Sequence, residues 1–221
     1  MIDEDKFQKQ YWERKTLEKR RTPVNKVIRS YVLPKIKEIR KQVDINENTT
    51  LLDVGAGSGA FSFWFDKICK TTAIDYSSHM TKLNPIKNKL CMDAQKMTFI
   101  DNNFDIVFCH AFLHHIDNIQ AVLKEMKRVS KKYIVIMEPN RNNPAVFLFS
   151  LIVKEERLAL KFSLKYLKEQ IKKADLEIIS AYPYGLMTPN KCPAFLLPIL
   201  KLFNRRFFLG ITNIAIAKKK N

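Results

Sequence analysis

Three of the chain's five glycines lie at alternate positions in one short segment, at Gly55, Gly57 and Gly59. The mainly apolar residues 51–54 before them predict a short buried strand, and residues 60–68 after them predict a buried helix. Glycines at such a turn leave the backbone amides of the helix N-terminus open to an acidic or polar ligand group. The pattern predicts ligand binding here, although glycine turns also serve as plain tight connections.

Carboxylates follow at the ends of the next two predicted strands. Asp75 ends the segment 70–75, about 20 residues beyond the glycines, where a dinucleotide-type fold places the acid that hydrogen-bonds ribose hydroxyls. Asp93 follows a third predicted strand at 87–92. With Ala60 as its last position, the glycine segment also matches the G-x-G-x-x-A fingerprint of nicotinamide-binding proteins. We expect both carboxylates to bind ligand, the alternative being that each only caps a helix.

The elements that position these groups alternate between strand and helix. Further strands are predicted at 104–109 and 133–137, with an amphipathic helix at 118–129 between them. This alternation indicates a parallel sheet that binds ligands at the carboxyl ends of its strands. A last pair of strands, 177–182 and 211–217, is predicted to be antiparallel. We therefore expect an α/β fold with a Rossmann-like seven-stranded sheet, mostly parallel, with one antiparallel strand near the edge and helices on both faces.

The first fifty residues predict helices. Apolar residues recur at helical spacing in 4–21 and in 24–43, and Pro34 is expected to kink or split the second helix. Tyr11 and Trp12 lie in the first helix. They are candidates for a lid over a bound ligand, the alternative being that they only pack on the core.

The sequence divides into two parts with two added segments. We expect an N-terminal helical extension or lid at 1–49 and the sheet domain at 50–221. Within that domain, 139–162 and 184–210 interrupt the alternation and are expected to be insertions on the substrate side.

The net charge of +17 is unevenly distributed along the chain. Lys and Arg outnumber Asp and Glu by 13 to 8 in residues 1–50, by 11 to 9 in 51–140 and by 15 to 5 in 141–221. A basic last third suits an anionic partner such as nucleic acid, a membrane surface or a phosphorylated substrate.

Composition points to a globular protein of the cytoplasm. Hydrophobic residues make up 46% of the chain and charged residues 28%, which excludes a disordered chain. Its apolar runs are too short to span a bilayer as helices, and its first residues do not resemble a secretory signal. The four cysteines show no paired spacing, which indicates free thiols in a reducing compartment and no zinc site. No metal ligands are expected.

The chain resembles the class I S-adenosylmethionine-dependent methyltransferases in motifs that occur in the family's order. These are residues 51–59 (LLDVGAGSG), 73–80 (AIDYSSHM), 91–97 (CMDAQKM) and 104–107 (FDIV). Residues 111–116 (AFLHHI) resemble the histidine-pair segment of the small-molecule branch that includes quinone-biosynthesis methyltransferases. The resemblance covers roughly residues 50–140.

The resemblance implies S-adenosylmethionine as the cofactor. The glycine turn would meet its amino-acid tail, with Asp53 ordering the loop or binding the ammonium group. Asp75 would accept both ribose hydroxyls, Tyr76 would lie against the adenine, and Asp93 with Ala94 would bind the adenine amine and ring edge. The full set assigned to the cofactor is Asp53, Gly55, Ala56, Gly57, Gly59, Asp75, Tyr76, Met80, Asp93, Ala94, Cys109 and His110.

Methyl transfer is an in-line displacement, so alignment and exclusion of water supply much of its rate. Where the acceptor needs a base, His114 and His115 are the candidate catalytic residues, because neutral imidazole titrates near working pH. The alternative is that one packs in the core and the other contacts Asp117.

The segment 187–209, both apolar and basic, supports two interpretations of the acceptor. It could rest on an anionic membrane and admit a lipid-like molecule, or it could hold RNA phosphates. The fourth strand is followed neither by the Asn-Pro-Pro-aromatic segment of DNA amino-methylases nor by a Pro-Cys nucleophile. We therefore favour a small or hydrophobic acceptor. An RNA or protein methyltransferase and a non-catalytic binding protein stay as alternatives, and the segment could also be a dimer interface or core cover.

Overall fold

The computed structural model describes residues 8, 10–13, 22–189 and 192–220 of the 221-residue chain. Residues 8 and 10–13 are helical, and the remainder of the helix predicted at 4–21 lies outside the described residues. Within the described part, no helix combines the length and the apolar character that crossing a membrane requires.

A seven-stranded sheet lies at the centre of the described chain. Its strands are β1 (Thr50–Val54), β2 (Lys70–Asp75), β3 (Lys89–Cys91), β4 (Phe104–His110), β5 (Ser130–Pro139), β6 (Leu176–Tyr184) and β7 (Thr212–Lys219). They lie in the order β3-β2-β1-β4-β5-β7-β6, and β7 runs antiparallel to β5 and β6 while the other pairs are parallel. The predicted fold class is confirmed.

Helices cover both faces of the sheet. The α-helices are α1 (Lys26–Arg40), α2 (Ser62–Phe65), α3 (Ser78–Leu83), α4 (Ile119–Val129), α5 (Pro144–Ile152), α6 (Leu164–Lys173) and α7 (Leu197–Lys201). Single turns or short runs of 3-10 helix occupy Leu113–His115, Lys154–Lys161 and Ala194–Leu196.

The strands bury both of their faces because successive side chains point to opposite sides. In β1, Leu51 packs in the core on the side of α1, whereas Leu52 packs in the core on the side of α4 and α6. In β4, Ile106 packs in the core on the side of α1, and Val107 packs in the core on the side of α4 and α6. Two hydrophobic layers therefore hold the sheet between helices, which fixes the positions of its strand ends.

Two local expectations are corrected by the structure. The helix expected at 60–68 is only Ser62–Phe65, because Gly59 has a φ of +82° and the chain turns until that point. The helix expected at 24–43 is the single helix Lys26–Arg40, which contains Pro34 without being split.

The two predicted insertions leave the sheet at the edge where its parallel strands end. Pro139 at the end of β5 and Tyr184 at the end of β6 both pair with Thr212, the first residue of β7. Side chains of Asn140 and Asn143 also donate to the carbonyls of Gly210 and Leu209. Residues 140–162 and 185–211 therefore leave and re-enter the sheet at one edge, which also carries the cavity described next.

Candidate active site

A cavity of about 350 Å³ opens at the carboxyl ends of the parallel strands. One side, the motif wall, consists of its lining residues from 55–60, 75–80 and 92–95. The other side, the assembled wall, consists of Gln8, Trp12, Ile28, Tyr31, lining residues of 110–116, Pro139, Glu156 and Pro189. Its size and position are those of a small-molecule site in an α/β fold.

The glycine turn forms the floor of the motif wall. Gly55, Gly57 and Gly59 have φ values of +66°, +54° and +82°, in the left-handed region that favours glycine. A Cβ on Gly55 would lie 2.2 Å from the ring of Phe112, and one on Gly59 would lie 2.4 Å from Asn84 Oδ1. These two glycines therefore allow close packing beneath the turn, while Gly55, Ala56 and Gly57 themselves line the cavity.

Asp75 joins the glycine turn to the end of β2. Its Oδ2 accepts from the amide of Gly57 at 2.8 Å and its Oδ1 from the amide of Ser77 at 2.9 Å. Two backbone donors thereby fix the carboxylate, which lines the cavity. Tyr76 and Met80 line it as well, Tyr76 with 45% of its surface exposed and Met80 buried.

Asp93 and Ala94 extend the motif wall beyond the end of β3. The Oδ1 atom of Asp93 accepts from the amide of Gln95 at 2.8 Å, which is a local Asx turn. Both residues line the cavity with Asp75, so the structure brings the predicted set from the first three strands together.

Three predicted cofactor residues, Asp53, Gly59 and Cys109, are not among the described residues that line the cavity. Ser62 donates to Asp53 at 2.6 Å and accepts from Asn84 at 3.1 Å. Burial raises the pKa of Asp53 to about 7. This chain of hydrogen bonds favours the loop-ordering role for Asp53, while Cys109 is fully buried in the core.

His110 faces the cavity at the end of β4 and pairs with Tyr31 of α1. The Tyr31 hydroxyl and His110 Nε2 lie 2.6 Å apart. Burial, followed by the positive charge of Lys35, lowers the pKa of His110 to about 3. The imidazole is therefore neutral at physiological pH.

His114 lies between two glutamates. Its Nδ1 is 2.6 Å from Glu138 Oε2 and its Nε2 is 3.1 Å from Glu156 Oε2. Burial opposes the charged form, but the two carboxylates prevail and raise the pKa of His114 to about 9. The other oxygen of Glu138 accepts from the amides of Phe112 and Leu113. At neutral pH His114 is thus a doubly hydrogen-bonded imidazolium, an arrangement that disfavours its predicted role as a base.

His115 adjoins the N-terminal helix. Its ring centroid lies 5.4 Å from that of Trp12, which in turn lies 5.0 Å from Tyr11. Trp12 and His115 line the cavity, and the Gln8 amide donates to the carbonyl of Glu155. The described N-terminal residues therefore contact the assembled wall, and the predicted lid role stays a prediction.

Sequence reasoning assigned no role to three residues of the assembled wall and its support, although it placed Glu138 near the carboxyl end of a predicted strand. Tyr31 and Glu156 line the cavity, and Glu138 holds His114. Glu138 ends a predicted strand, a signal that points to the site edge. Tyr31 and Glu156 carry no local motif, because each reaches the site from a distant segment.

The donor set of the motif wall fits S-adenosylmethionine. Two carboxylates, exposed glycine-turn backbone and an aromatic ring line one continuous surface. They match ribose hydroxyls, an amino-acid tail and an adenine in type and number.

A family model described as a methyltransferase domain matches residues 52–135. An uncharacterized protein of Methanocaldococcus jannaschii is 31% identical over 110 residues, which are 48% of this chain and 48% of that protein. A demethylmenaquinone methyltransferase of Corynebacterium glutamicum is 28% identical over 129 residues, which are 56% of this chain and 55% of that protein. The chain spans about half the length of the curated relatives it matches.

The solved structure of a S-adenosylmethionine-dependent methyltransferase from Thermotoga maritima has a TM-score of 0.66 at 19% identity, covering 88% of this chain and 92% of that one. At that identity the likeness shows the fold. Together with the domain match, it confirms the predicted resemblance to class I methyltransferases.

Proposed function

We propose that this chain, whose residues 52–135 match a methyltransferase-domain family model, transfers a methyl group from S-adenosylmethionine to a hydrophobic, lipid-like acceptor at an anionic membrane surface. The proposal depends on the contrast between a polar motif wall and an apolar surface beside the assembled wall. The exposed apolar helix α5 is the observation that carries the choice of acceptor.

When bound, S-adenosylmethionine supplies an electrophilic methyl group on a positively charged sulfur. The chain's own contribution begins with Asp75, whose carboxylate lines the cavity and is oriented by the amides of Gly57 and Ser77. Fixed in this way, it can accept ribose hydroxyls without reorganising. Asp93 is oriented by its local turn to do the same at the adenine edge.

The assembled wall controls charge beside the reacting atoms. A neutral His110 adds no positive charge next to a cationic sulfur, and the two glutamates around one imidazolium leave the His114 cluster with a net negative charge. Trp12, Phe112 and Ile116 add apolar surface to the lining of the cavity. This environment favours a bound cation and suits alignment of a nucleophile.

Helix α5 presents apolar side chains to solvent. Its sequence PAVFLFSLI has one buried residue, Ser150, while Phe147, Leu148, Leu151 and Ile152 are exposed. A helix that exposes its apolar residues and buries its serine requires an apolar neighbour. The 3-10 run that follows it carries Glu156 into the cavity, so the exposed helix adjoins the assembled wall.

A second apolar surface lies in the other insertion, at the same sheet edge. Phe195, Ile199, Leu202 and Phe208 are all exposed there. Residues 184–210 contain four Lys or Arg and no Asp or Glu, and residues 139–154 contain two basic residues and no acidic one. Apolar side chains among positive charges are complementary to an anionic bilayer.

The relatives support the same class of acceptor. By its name, the Corynebacterium glutamicum relative acts on demethylmenaquinone, which is a hydrophobic quinone. The match covers only 56% of this chain and 55% of that relative. It therefore supports the class of acceptor less strongly than the exposed apolar surfaces do.

A labelled-methyl assay tests the proposal. The protein is incubated with S-adenosylmethionine carrying a labelled methyl group and a total cell extract, which is then separated into lipid, RNA, protein and small polar molecules. We expect label in the lipid fraction, and no label with the Asp75→Ala variant.

Each of the other outcomes of this assay would overturn a different part of the proposal. Label in RNA or protein would replace the lipid-like acceptor with the macromolecule. Binding of S-adenosylmethionine without label in any fraction would indicate a non-catalytic binding protein.

A further inference from the structure

We infer that His114, His115 and Glu156 form a binding site for a divalent first-row transition-metal ion. One ligand atom from each residue, two ring nitrogens and a carboxylate oxygen, lies within 4.8 Å of the other two. The two histidines are buried and the glutamate is half-buried. All three line the assembled wall of the cavity.

The spacing of the donors fits a shared ion. Zinc binds imidazole nitrogen and carboxylate oxygen at about 2.0–2.2 Å, which places neighbouring ligand atoms about 3 Å apart. His114 Nε2 and Glu156 Oε2 are 3.1 Å apart, and the rings of His114 and His115 have centroids 3.9 Å apart with their planes tilted by 45°. His115 supplies the third donor nitrogen, which lies within 4.8 Å of the other two donor atoms.

The surroundings of His114 resemble the outer shell of a metal site. Its Nδ1 is held by Glu138 Oε2 at 2.6 Å, so its Nε2 is directed toward Glu156. The carboxylate is itself fixed by the amides of Phe112 and Leu113. A carboxylate that orients a histidine in this way is the usual support for a ligating imidazole.

The charge of the cluster also suits a cation. Glu138 and Glu156 supply two negative charges around His114. Two imidazoles with one carboxylate suit zinc, iron, cobalt or nickel better than magnesium or calcium, which prefer oxygen ligands.

The position of the ion gives it a role that rests on the proposed function. An ion here would lie in the assembled wall and leave coordination positions facing the cavity. Such a position can bind an acceptor oxygen and lower its pKa, which makes the oxygen a better nucleophile. Metal binding itself does not depend on methyl transfer.

Titration with Co²⁺ tests the site directly. We expect the wild-type protein, purified with chelator and without cofactor, to develop visible absorption bands that saturate at one ion per chain and are displaced by Zn²⁺. The exposed thiol of Cys91 is replaced first, as Cys91→Ser, so that any band comes from the proposed ligands.

Two ligand variants and one control complete the test. His115→Ala and Glu156→Gln should weaken Co²⁺ binding by at least about tenfold, in line with the loss of a supporting or ligating group. His79→Ala, a histidine outside the cluster, should bind as the wild type does. Absence of the bands in a folded wild-type protein, or equal binding by all three variants, would overturn the proposal.

Failure of the metal site and failure of the proposed function give different results. Calorimetry with S-adenosylmethionine on the same preparation reports the cofactor site alone. Cofactor binding without cobalt bands would reject only the metal, whereas cobalt bands without cofactor binding would reject only the methyltransferase proposal.

Discussion

The two walls of the cavity are built in different ways. The motif wall comes from one stretch of chain, and backbone amides hold its carboxylates, as Gly57 holds Asp75. The assembled wall joins distant segments through side chains. Gln8 bonds the Glu155 carbonyl across 147 residues, and Tyr31 bonds His110 across 79. The comparison indicates that the geometry of the motif wall is encoded locally, while the geometry of the assembled wall depends on long-range packing.

The largest expected effect comes from a Cβ in the motif wall. Gly55→Ala should lower the free energy of unfolding by about 3 kcal/mol, because alanine is strained at a φ of +66° and its Cβ meets the Phe112 ring at 2.2 Å. Urea unfolding measures this loss.

Gly185→Ala is the matched control in the last third of the chain. Gly185 has a φ of +64°, but the nearest atom to its added Cβ is 3.8 Å away. The variant should lose about 1 kcal/mol, the conformational cost alone. Equal losses at both positions would mean that the close packing under the motif wall is unimportant.

The second prediction compares how a substitution in each wall changes the affinity for S-adenosylmethionine. Asp75→Ala should weaken binding of S-adenosylmethionine by at least about 100-fold, because hydrogen bonds to a charged group are worth about 1.5–3 kcal/mol each and two are lost. Glu156→Gln, in the assembled wall, should weaken that affinity much less, because it removes one negative charge from the cavity but no hydrogen bond to the cofactor. Isothermal titration calorimetry measures both, and a large loss at Glu156 with none at Asp75 would reverse the assignment of the walls.

The motif wall is also the part that the sequence predicts well. Glycines, strand-end carboxylates and apolar strands leave local patterns, and these place Gly55, Asp75 and Asp93 at one cavity. The assembled wall leaves no such pattern. The sequence marks His114 as a candidate base, but its charge depends on Glu138 and Glu156, which only the fold brings to it.

Local sequence patterns also predict poorly at positions whose conformation is stabilised by a residue from a distant segment. Asp175 stands where a glycine is expected after a helix, which places the end of that helix in question. It adopts a φ of +55° at the end of α6, and its carboxylate pairs with Lys127 and Lys220 at 2.8 and 2.9 Å. Both lysines come from other elements, so the helix signal alone could not reveal them.

The third prediction concerns the surface beside the assembled wall. Ile152→Ser should weaken binding to vesicles with anionic lipids about tenfold, since burying an isoleucine contributes about 1.5–3 kcal/mol. Ile152 is 80% exposed on α5, and Ile100, 74% exposed elsewhere, is its matched control. Sedimentation with vesicles measures both. Equal binding by Ile152→Ser and Ile100→Ser would remove α5 from the proposed membrane contact.

The smallest expected effect is a change in the pH dependence of stability, caused by Lys35, which packs against Tyr31 of the assembled wall. Its ammonium is buried 3.6 Å from the centroid of the Tyr31 ring, and burial lowers its pKa from 10.5 to about 7. Between pH 7 and 10.5 the unfolded chain therefore binds more protons than the folded one, so this group makes the protein more stable as the pH rises.

Lys35→Met removes that dependence. The free energy of unfolding of the wild type, relative to the variant, should rise by about 1 kcal/mol between pH 7 and 8, measured by urea unfolding at each pH. Lys37→Met, on an exposed position of the same helix, should follow the wild-type profile. A constant difference between Lys35→Met and wild type would show that the buried amine does not change its proton occupancy on folding.

Calorimetric titration of the wild-type protein with S-adenosylmethionine, with NAD in a parallel titration, tests the central claim most directly. The account predicts saturable binding of S-adenosylmethionine at one site and no heat of binding from NAD. Binding of NAD without S-adenosylmethionine would contradict it, because the same glycine turn and strand-end carboxylate would then serve a nicotinamide cofactor.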